Sequence, residues 1–509
     1  MSRNELFATT EPVFEMPGAL PFERGHGSAG RSMAEPPMAL MGVAFDNITT
    51  AETVATIEKM IQSREPHYVV TANVDFLVQA RRDVELHRIL LDAHLVLCDG
   101  TPLLWVSRWL GNPLPERVAG ADLVPLLIKR AAQTGHRIFF LGGAPSVAAK
   151  AVANLQAKYP DLVIAGHYSP PFRPLLEMDH TEITRRIREA KPDLLFVSFG
   201  CPKAEKWCSM NYRMLGVPVA IGVGATIDFL AGTVRRAPRW MQRTGTEWIF
   251  RMAQEPRRLM RRYTTGIWHF TTGVMAQWCC LHFHRRKIGA RQCRATFEER
   301  VASLHLTPPP RLDVRAVQRD GALWEKAATD GRHCLLDMSG VNVLDSSGVG
   351  LLISLHKRLR QSGRQLVLIG ASQVVRRVLR RMRLQDYFTT ARNEDMVWQR
   401  IKARSAEGAL VKFNRWNNQL EWRGEITVEN AERIGQATVE QWRSNPVPQP
   451  WVIDISLVRF IDSRGAELIA RLAAFAESAG CSLNFTGARP AVRDVLRRSK
   501  MESLLLKNK

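Results

Sequence analysis

Residues 335–384 read LLDMSGVNVLDSSGVGLLISLHKRLRQSGRQLVLIGASQVVRRVLRRMRL, and residues 452–501 read VIDISLVRFIDSRGAELIARLAAFAESAGCSLNFTGARPAVRDVLRRSKM. Each passes from a short apolar strand through an Asp-Ser-x-Gly turn into an amphipathic helix, then into a second strand and a basic helix. Such a strand–helix–strand–helix run is one small α/β unit, and its recurrence predicts two of them in tandem. Repeated modules of this size suit regulation or docking, so the chemistry is sought in the different sequence that precedes them.

Residues 38–250 have another texture. The runs HYVVTANVD (67–75), HRIFFLGG (136–143), LVIAGHY (162–168), PDLLFVSFG (192–200) and PVAIGVG (218–224) are strand-like and are separated by helical stretches such as PSVAAKAVANLQAKY. That alternation predicts a Rossmann-like parallel sheet covered by helices, with its ligand site at the carboxyl ends of the strands. The strands run into polar or glycine-rich loops, TANVD, LGGAP, SFGCP and GVGAT. The GGAPS turn at 142–146 opens a helix and has the form of a phosphate-binding turn.

The chain has 509 residues, which predicts about three domains. Lys and Arg number 71 against 49 Asp and Glu, a formal charge of +22 that favours an anionic partner such as a lipid surface or a phosphorylated substrate. Nothing resembles a recognition helix, a zinc finger or an aromatic RNA platform, so nucleic acid is not expected. The eight cysteines have no CxxC pair and no metal-ligand spacing, consistent with free thiols in a reducing compartment. Residues 1–37 lack the pattern of a secretory signal and read as a flexible leader, so a cytoplasmic location is expected. GIWHFTTGVMAQWCCLHF (266–283), between RRLMRRY (257–263) and HRRK (284–287), has the composition of a segment lying in a membrane interface. Residues 251–290 therefore read as a basic appendage at the inner surface of a membrane.

Several segments of the first half, in order and spacing, resemble the WecG/TagA/CpsF glycosyltransferases: TANVDFLVQARRD (71–83), AHLVLCDGTPLLWVSRWLG (93–111), ERVAGADLV (116–124), FLGGAPSVAAKA (140–151), VSFGCPKAEKW (197–207) and GVGATIDFLAGTVRRAPRWMQRTGTEWIFRMAQEPRRLMRRY (222–263). The resemblance implies an inverting enzyme that moves a sugar from a UDP-sugar to a polyprenyl-diphosphate-linked saccharide in surface-polysaccharide biosynthesis. It gives Asp99 the role of general base and places Thr71 and Asn73 on donor or acceptor hydroxyls. Arg117, Asp122, Gly142, Gly143, Lys203, Glu205, Gly222 and Gly224 fall on the substrate pocket. Arg251, Arg257, Arg258, Arg261 and Arg262 fall on a basic tail that meets lipid and diphosphate. No metal and no other cofactor is expected, since there is neither an Asp-x-Asp motif nor a carboxylate cluster. One departure stands out: where the family has Gly-x-Pro-x-Gln-Glu, this chain has Gly200-Cys201-Pro202-Lys203-Ala204-Glu205. Alanine cannot replace the amide hydrogen bonds of glutamine, so the donor sugar is left open. The alternative reading is a non-catalytic scaffold on a degenerate transferase fold.

The repeated units resemble STAS domains, expected at 300–401 and 410–509, with LTPPPR (306–311) as an edge of the first and 310–325 as a degenerate start. The resemblance implies a phosphorylation loop at each Asp-Ser turn, with Ser346 and Ser463 as acceptors for a partner kinase and their hydroxyls exposed at helix starts. A STAS-binding kinase or biosynthetic protein is the expected partner, and self-association is compatible with the sequence.

Overall fold

The computed structural model describes residues 33, 35–234, 236–244, 246–254, 256–282, 294–299, 303–393, 396–397, 411–414, 419–444 and 450–506. The N-terminal half begins with a hairpin, β1 (Met38–Leu40) and β2 (Val43–Phe45), followed by α1 (Thr50–Ser63), β3 (His67–Ala72), α2 (Val74–Ala80), α3 (Val84–Asp92) and β4 (Leu95–Cys98). Then come α4 (Thr101–Trp109), α5 (Gly120–Thr134), β5 (Ile138–Gly142), α6 (Pro145–Lys158), β6 (Ile164–Tyr168), α7 (His180–Ala190), β7 (Leu194–Ser198), α8 (Lys203–Asn211), β8 (Val219–Gly222) and α9 (Thr226–Leu230). The six strands β3 to β8 form one parallel sheet in the order β4-β3-β8-β7-β5-β6.

The sheet is Rossmann-like because its strands are apolar on both faces. One face sets Val69, Leu97, Phe140, Phe196 and Ile221 against Ile57, Leu123, Leu127 and Leu155 of α1, α5 and α6. The other sets Val70, Cys98, Leu141, Val197 and Ala220 against Phe76, Leu86, Ile183 and Trp207 of α2, α3, α7 and α8. A doubly covered parallel sheet needs this pattern, and it puts the strands' carboxyl ends along one open edge.

Three helices continue from the sheet: α10 (Arg239–Thr244), α11 (Glu247–Gln254) and α12 (Pro256–His282). The segment expected to lie wholly in a membrane interface belongs to α12 and is instead half interior. Phe270, Val274, Gln277 and Leu281 recur at helical spacing and are buried, whereas Ile267, Trp268 and Met275 face outward. Among the described residues no helix is long and apolar enough to cross a membrane.

The first repeated unit comprises β9 (Thr296–Glu299), β10 (Ser303–Thr307), β11 (Arg311–Leu312), α13 (Val314–Arg319), α14 (Gly321–Thr329), β12 (His333–Asp337), β13 (Val343–Leu344), α15 (Ser346–Gln361), β14 (Leu366–Ile369), α16 (Gln373–Arg381) and β15 (Thr389–Ala391). Its sheet runs β15-β14-β12-β10-β9, antiparallel only at β9. The sheet of this unit also takes in strands before LTPPPR, and Leu304 and Leu306 of β10 are fully buried between β9 and β12. Within 310–325, β11 pairs with β13 and Asp313 caps α13.

The second unit comprises β16 (Val411–Asn414), β17 (Gln419–Ile426), α17 (Ala431–Ser444), β18 (Trp451–Ile461), α18 (Ser463–Ser478), β19 (Leu483–Thr486) and α19 (Pro490–Arg498), with sheet order β16-β17-β18-β19. The core beneath the large sheet continues without a break into the first unit, where Leu336, Leu352 and Leu366 join it. The end of the expected leader is also packed: Met33 is buried, and Pro37 lies so close to Gly350 that a Cβ there would overlap its carbonyl.

Candidate active site

The carboxyl edge of the large sheet gathers the polar residues that end its strands. The Asp99 amide donates to the Ala72 carbonyl (2.9 Å), and the Val118 amide donates to the Cys98 carbonyl (2.9 Å). Pairing thus continues past the ends of β3 and β4, setting Asp99 beside Asn73 and bringing Arg117 to the same corner. The Thr71 hydroxyl donates to the Gly222 carbonyl (3.2 Å), which ties β3 to β8 where the loops open. Asn73 caps α2, its Oδ1 accepting from the Asp75 amide (3.0 Å). Gly142 has φ +99°, and a Cβ on it would stand 2.6 Å from the Ser198 carbonyl oxygen, so the β5 and β7 loops touch only because this residue is glycine.

A cluster of four charges stands next to Asp99. Arg117 pairs with Asp122 (2.8 Å) and Glu247 (3.1 Å). Arg236 pairs with the other Asp122 oxygen (2.6 Å) and lies 3.8 Å from Glu247. Burial works against the charge on Arg236, but Asp122, Glu247 and Asp99 outweigh it and hold the guanidinium firmly protonated. Burial likewise works against the Asp122 carboxylate, and the two arginines outweigh it, keeping it below the usual carboxylate range. The cluster leaves spare donors: Nε and Nη2 of Arg236 are buried and carry no hydrogen bond among the described residues. Guanidinium donors without a hydrogen bond among the described residues are suited to an anionic ligand.

The backbone adds positive potential to the same edge. Helices α4, α5, α6 and α8 begin without a side-chain cap, whereas α1, α3 and α7 are capped by Thr49, Asp83 and Asp179. The uncapped amides leave first-turn N–H groups for a ligand or water. Running out from Asp99, α4 carries Trp105, 55% exposed, and Trp109, which stacks on Trp278 of α12 at 5.3 Å. An exposed aromatic surface thus adjoins the cleft.

The structure brings Thr71, Asn73, Asp99, Arg117, Asp122, Gly142, Gly143, Gly222 and Gly224 to this one edge. Lys203 stands at its rim between the Phe172 and Phe199 rings (5.1 and 5.3 Å), and partial desolvation lowers its ammonium pKa. Glu205, expected to touch substrate, is placed differently. It is buried beneath β8, where a Cβ on Gly222 would stand 2.9 Å from its Oε1, and desolvation pushes its carboxyl up to about 7. It supports the glycine strand from below. The side chains of Arg251, Arg257, Arg258, Arg261 and Arg262 lie outside the described residues.

The expectation of exposed serine hydroxyls is overturned. Ser346 is 1% exposed and Ser463 is 4% exposed, because both turns face the transferase half. Asp345 and Asp462 act as helix N-caps. Sequence reasoning missed Arg236 and Glu247. Both lie in the long motif, but nothing in the sequence around Arg236 marks its side chain as one that turns inward.

The chain is similar to known proteins in each of its three parts. The profile of the glycosyl transferase WecG/TagA/CpsF family matches residues 38–283, that of the STAS domain matches 313–396, and that of the Mlab STAS domain matches 411–507. An N-acetylglucosaminyldiphosphoundecaprenol N-acetyl-beta-D-mannosaminyltransferase of Staphylococcus aureus (strain MW2) is 30% identical over 224 residues, covering 44% of this chain and 86% of that protein. A protein with the same name from Bacillus spizizenii (strain ATCC 23059 / NRRL B-14472 / W23) is 32% identical over 205 residues, covering 39% of this chain and 78% of that protein.

Proposed function

The chain belongs to the WecG/TagA/CpsF glycosyl transferase family, and on that premise we propose that it moves a hexose or N-acetylhexosamine from a UDP-sugar to a polyprenyl-diphosphate-linked saccharide, with inversion. The observation that carries this reading is the convergence of Asp99 with the Arg117–Asp122–Arg236–Glu247 cluster at the open edge of the sheet. In the proposed step Asp99 takes the proton of the acceptor hydroxyl as its oxygen attacks the anomeric carbon. The bond from that carbon to the diphosphate breaks on the opposite face, and UDP leaves with the electron pair. Arg236, whose Nε and Nη2 carry no hydrogen bond among the described residues, and the uncapped helix starts stabilise the charge that develops on the leaving group, so no metal ion is required for that role. Thr71 fixes the β3–β8 corner, and the amide donors of Asn73 serve a sugar hydroxyl while its Oδ1 caps α2.

The relatives' names specify a diphosphoundecaprenol acceptor, and the surface here suits a lipid-borne substrate. Trp105 and the 68%-exposed Trp268 are amphipathic rings of the kind that settle at a bilayer interface, and α12 begins with an arginine-rich turn. The reading therefore places the protein on the cytoplasmic face of the inner membrane as a peripheral enzyme. N-acetylmannosamine is not carried over as the donor, since the family's glutamine is Ala204 here. The test is product formation by mass spectrometry from a panel of UDP-sugars and short polyprenyl-diphosphate-linked GlcNAc or glucose. A sugar-lipid product with one donor is expected. No product with any donor, from folded protein on membranes, favours the scaffold reading that Ala204 suggests.

A further inference from the structure

Both Asp-Ser turns meet the transferase half, and each is met by a polar side chain from it. At the first turn, the Gln277 amide of α12 donates to the Ser346 hydroxyl (3.1 Å) and the Ala39 carbonyl (3.0 Å), while its oxygen accepts from the Met41 amide (2.7 Å). One buried amide thus joins a STAS turn, the long helix and the β1–β2 hairpin. At the second turn, the Ser463 amide donates to the Glu85 carboxylate of α3. Glu85 is also paired with Lys206 (2.7 Å), which holds Asp83 as well (2.9 Å). Lys206 lies on α8, directly after Glu205 and within one turn of Lys203.

The two contacts are chemically different solutions to one placement, since the turns have diverged to Ser346-Ser347 and Ser463-Arg464. Behind them lies a junction of charges from three domains. Asp92 of the transferase accepts from Arg88 (2.9 Å) and from Arg360 of the first module (3.3 Å), while Arg88 reaches Glu425 of the second (3.3 Å). A module that left would strip partners from these largely buried charges, which is costly.

We infer that the Asp-Ser face of each STAS module is a docking site for this chain's own transferase domain, and that the docked modules clamp α12 and α8 beside the active site. The first module fixes α12, and the second reaches α8 through Glu85 and Lys206. An external kinase or protein partner gains either serine only after the module has undocked, and a phosphoryl group on Ser463 would meet the Glu85 carboxylate. Undocking is then the event that such a partner exploits.

The test is hydrogen–deuterium exchange by mass spectrometry on the full chain, a readout independent of any substrate. Ser463→Glu is expected to speed exchange in residues 84–92 and 203–211 while leaving β19 protected. Ser346→Glu is expected to do the same in residues 38–45 and 266–282 while leaving β14 protected. Each variant forces a carboxylate into a buried contact, against the Glu85 carboxylate at the second turn and against the neutral Gln277 amide at the first, and the rise should be roughly tenfold to a hundredfold. Unchanged exchange in those peptides overturns the inference, as does protection of the turns that weakens on dilution, which would put docking between copies. Should a serine variant lose its own module's sheet, Glu85→Gln and Gln277→Ala decide from the transferase side. They should loosen residues 463–468 and 346–352 respectively, and no change in either overturns the clamp.

Discussion

Replacing Arg236 by methionine removes the guanidinium and keeps most of the stem, so it separates the residue's structural role from its proposed catalytic one. Its pair with Asp122 is 2.6 Å long, but that carboxylate is 39% exposed, so the pair is screened and worth about 1 kcal/mol. Arg117 still holds both Asp122 and Glu247 after the change. The expected stability loss is therefore about 1–2 kcal/mol, a melting shift of a few degrees. The catalytic loss should be larger. Nε and Nη2 have no hydrogen bond to give up among the described residues, and a preorganised donor on a departing charge contributes about 10²–10³ in kcat, or roughly 3–4 kcal/mol. Steady-state kinetics with the preferred UDP-sugar, run beside thermal melts, should show kcat falling about a hundredfold or more at a temperature where the variant is folded. Arg236→Lys should recover part of this, because a point charge cannot fork onto two oxygens. A kcat within a few-fold of wild type would refute the assignment of Arg236 to the leaving diphosphate.

Glu205→Gln should flatten the pH dependence of stability. Burial raises the Glu205 carboxyl from 4.5 to about 7, so the folded state holds its proton and stability is lost as pH climbs through that window, by about 3 kcal/mol. Asp345 and Asp462, raised by burial to about 6 and about 7, add slope of the same sign and keep the variant from being wholly flat. Denaturant titrations between pH 5 and pH 8 check this, and an unchanged slope in the variant would contradict it. Asp92→Asn leaves Arg88 and Arg360 short of counter-charge and should cost on the order of 3 kcal/mol, read as an earlier unfolding transition. Changing Trp105 and Trp268 to serine should weaken co-sedimentation with anionic vesicles severalfold while leaving melting nearly unchanged, since both rings are exposed.

The period of the apolar residues was enough to read the main fold. Strands such as HYVVTA are buried along their whole length, and their carboxyl ends hold Thr71, Gly142 and Gly222, with Asp99 just beyond, at one edge because a parallel sheet leaves no other place for them. Three features were not legible, each because it depends on contacts between distant segments. Glu205 follows Lys203 by two residues, yet the turn of α8 puts one at the rim and the other under β8. Segment 266–283 has an interfacial composition, but its Phe270–Val274–Gln277–Leu281 stripe finds a partner in the hairpin and the first module. The serines read as exposed helix starts because a helix N-terminus is usually solvated. Their burial depends on Gln277 and Glu85, 69 and 378 residues away in sequence.

The role of Asp99 is tested most directly by single-turnover sugar transfer in Asp99→Asn, with donor binding measured separately. Asparagine keeps the size of the side chain and the Asp99–Ala72 backbone bond, and it removes the carboxylate charge together with the ability to take a proton. The expected result is a transfer rate reduced by about 10²–10⁴ with donor affinity little changed. Near-normal transfer by the variant would contradict the account, because the acceptor hydroxyl would then be giving its proton to some other group.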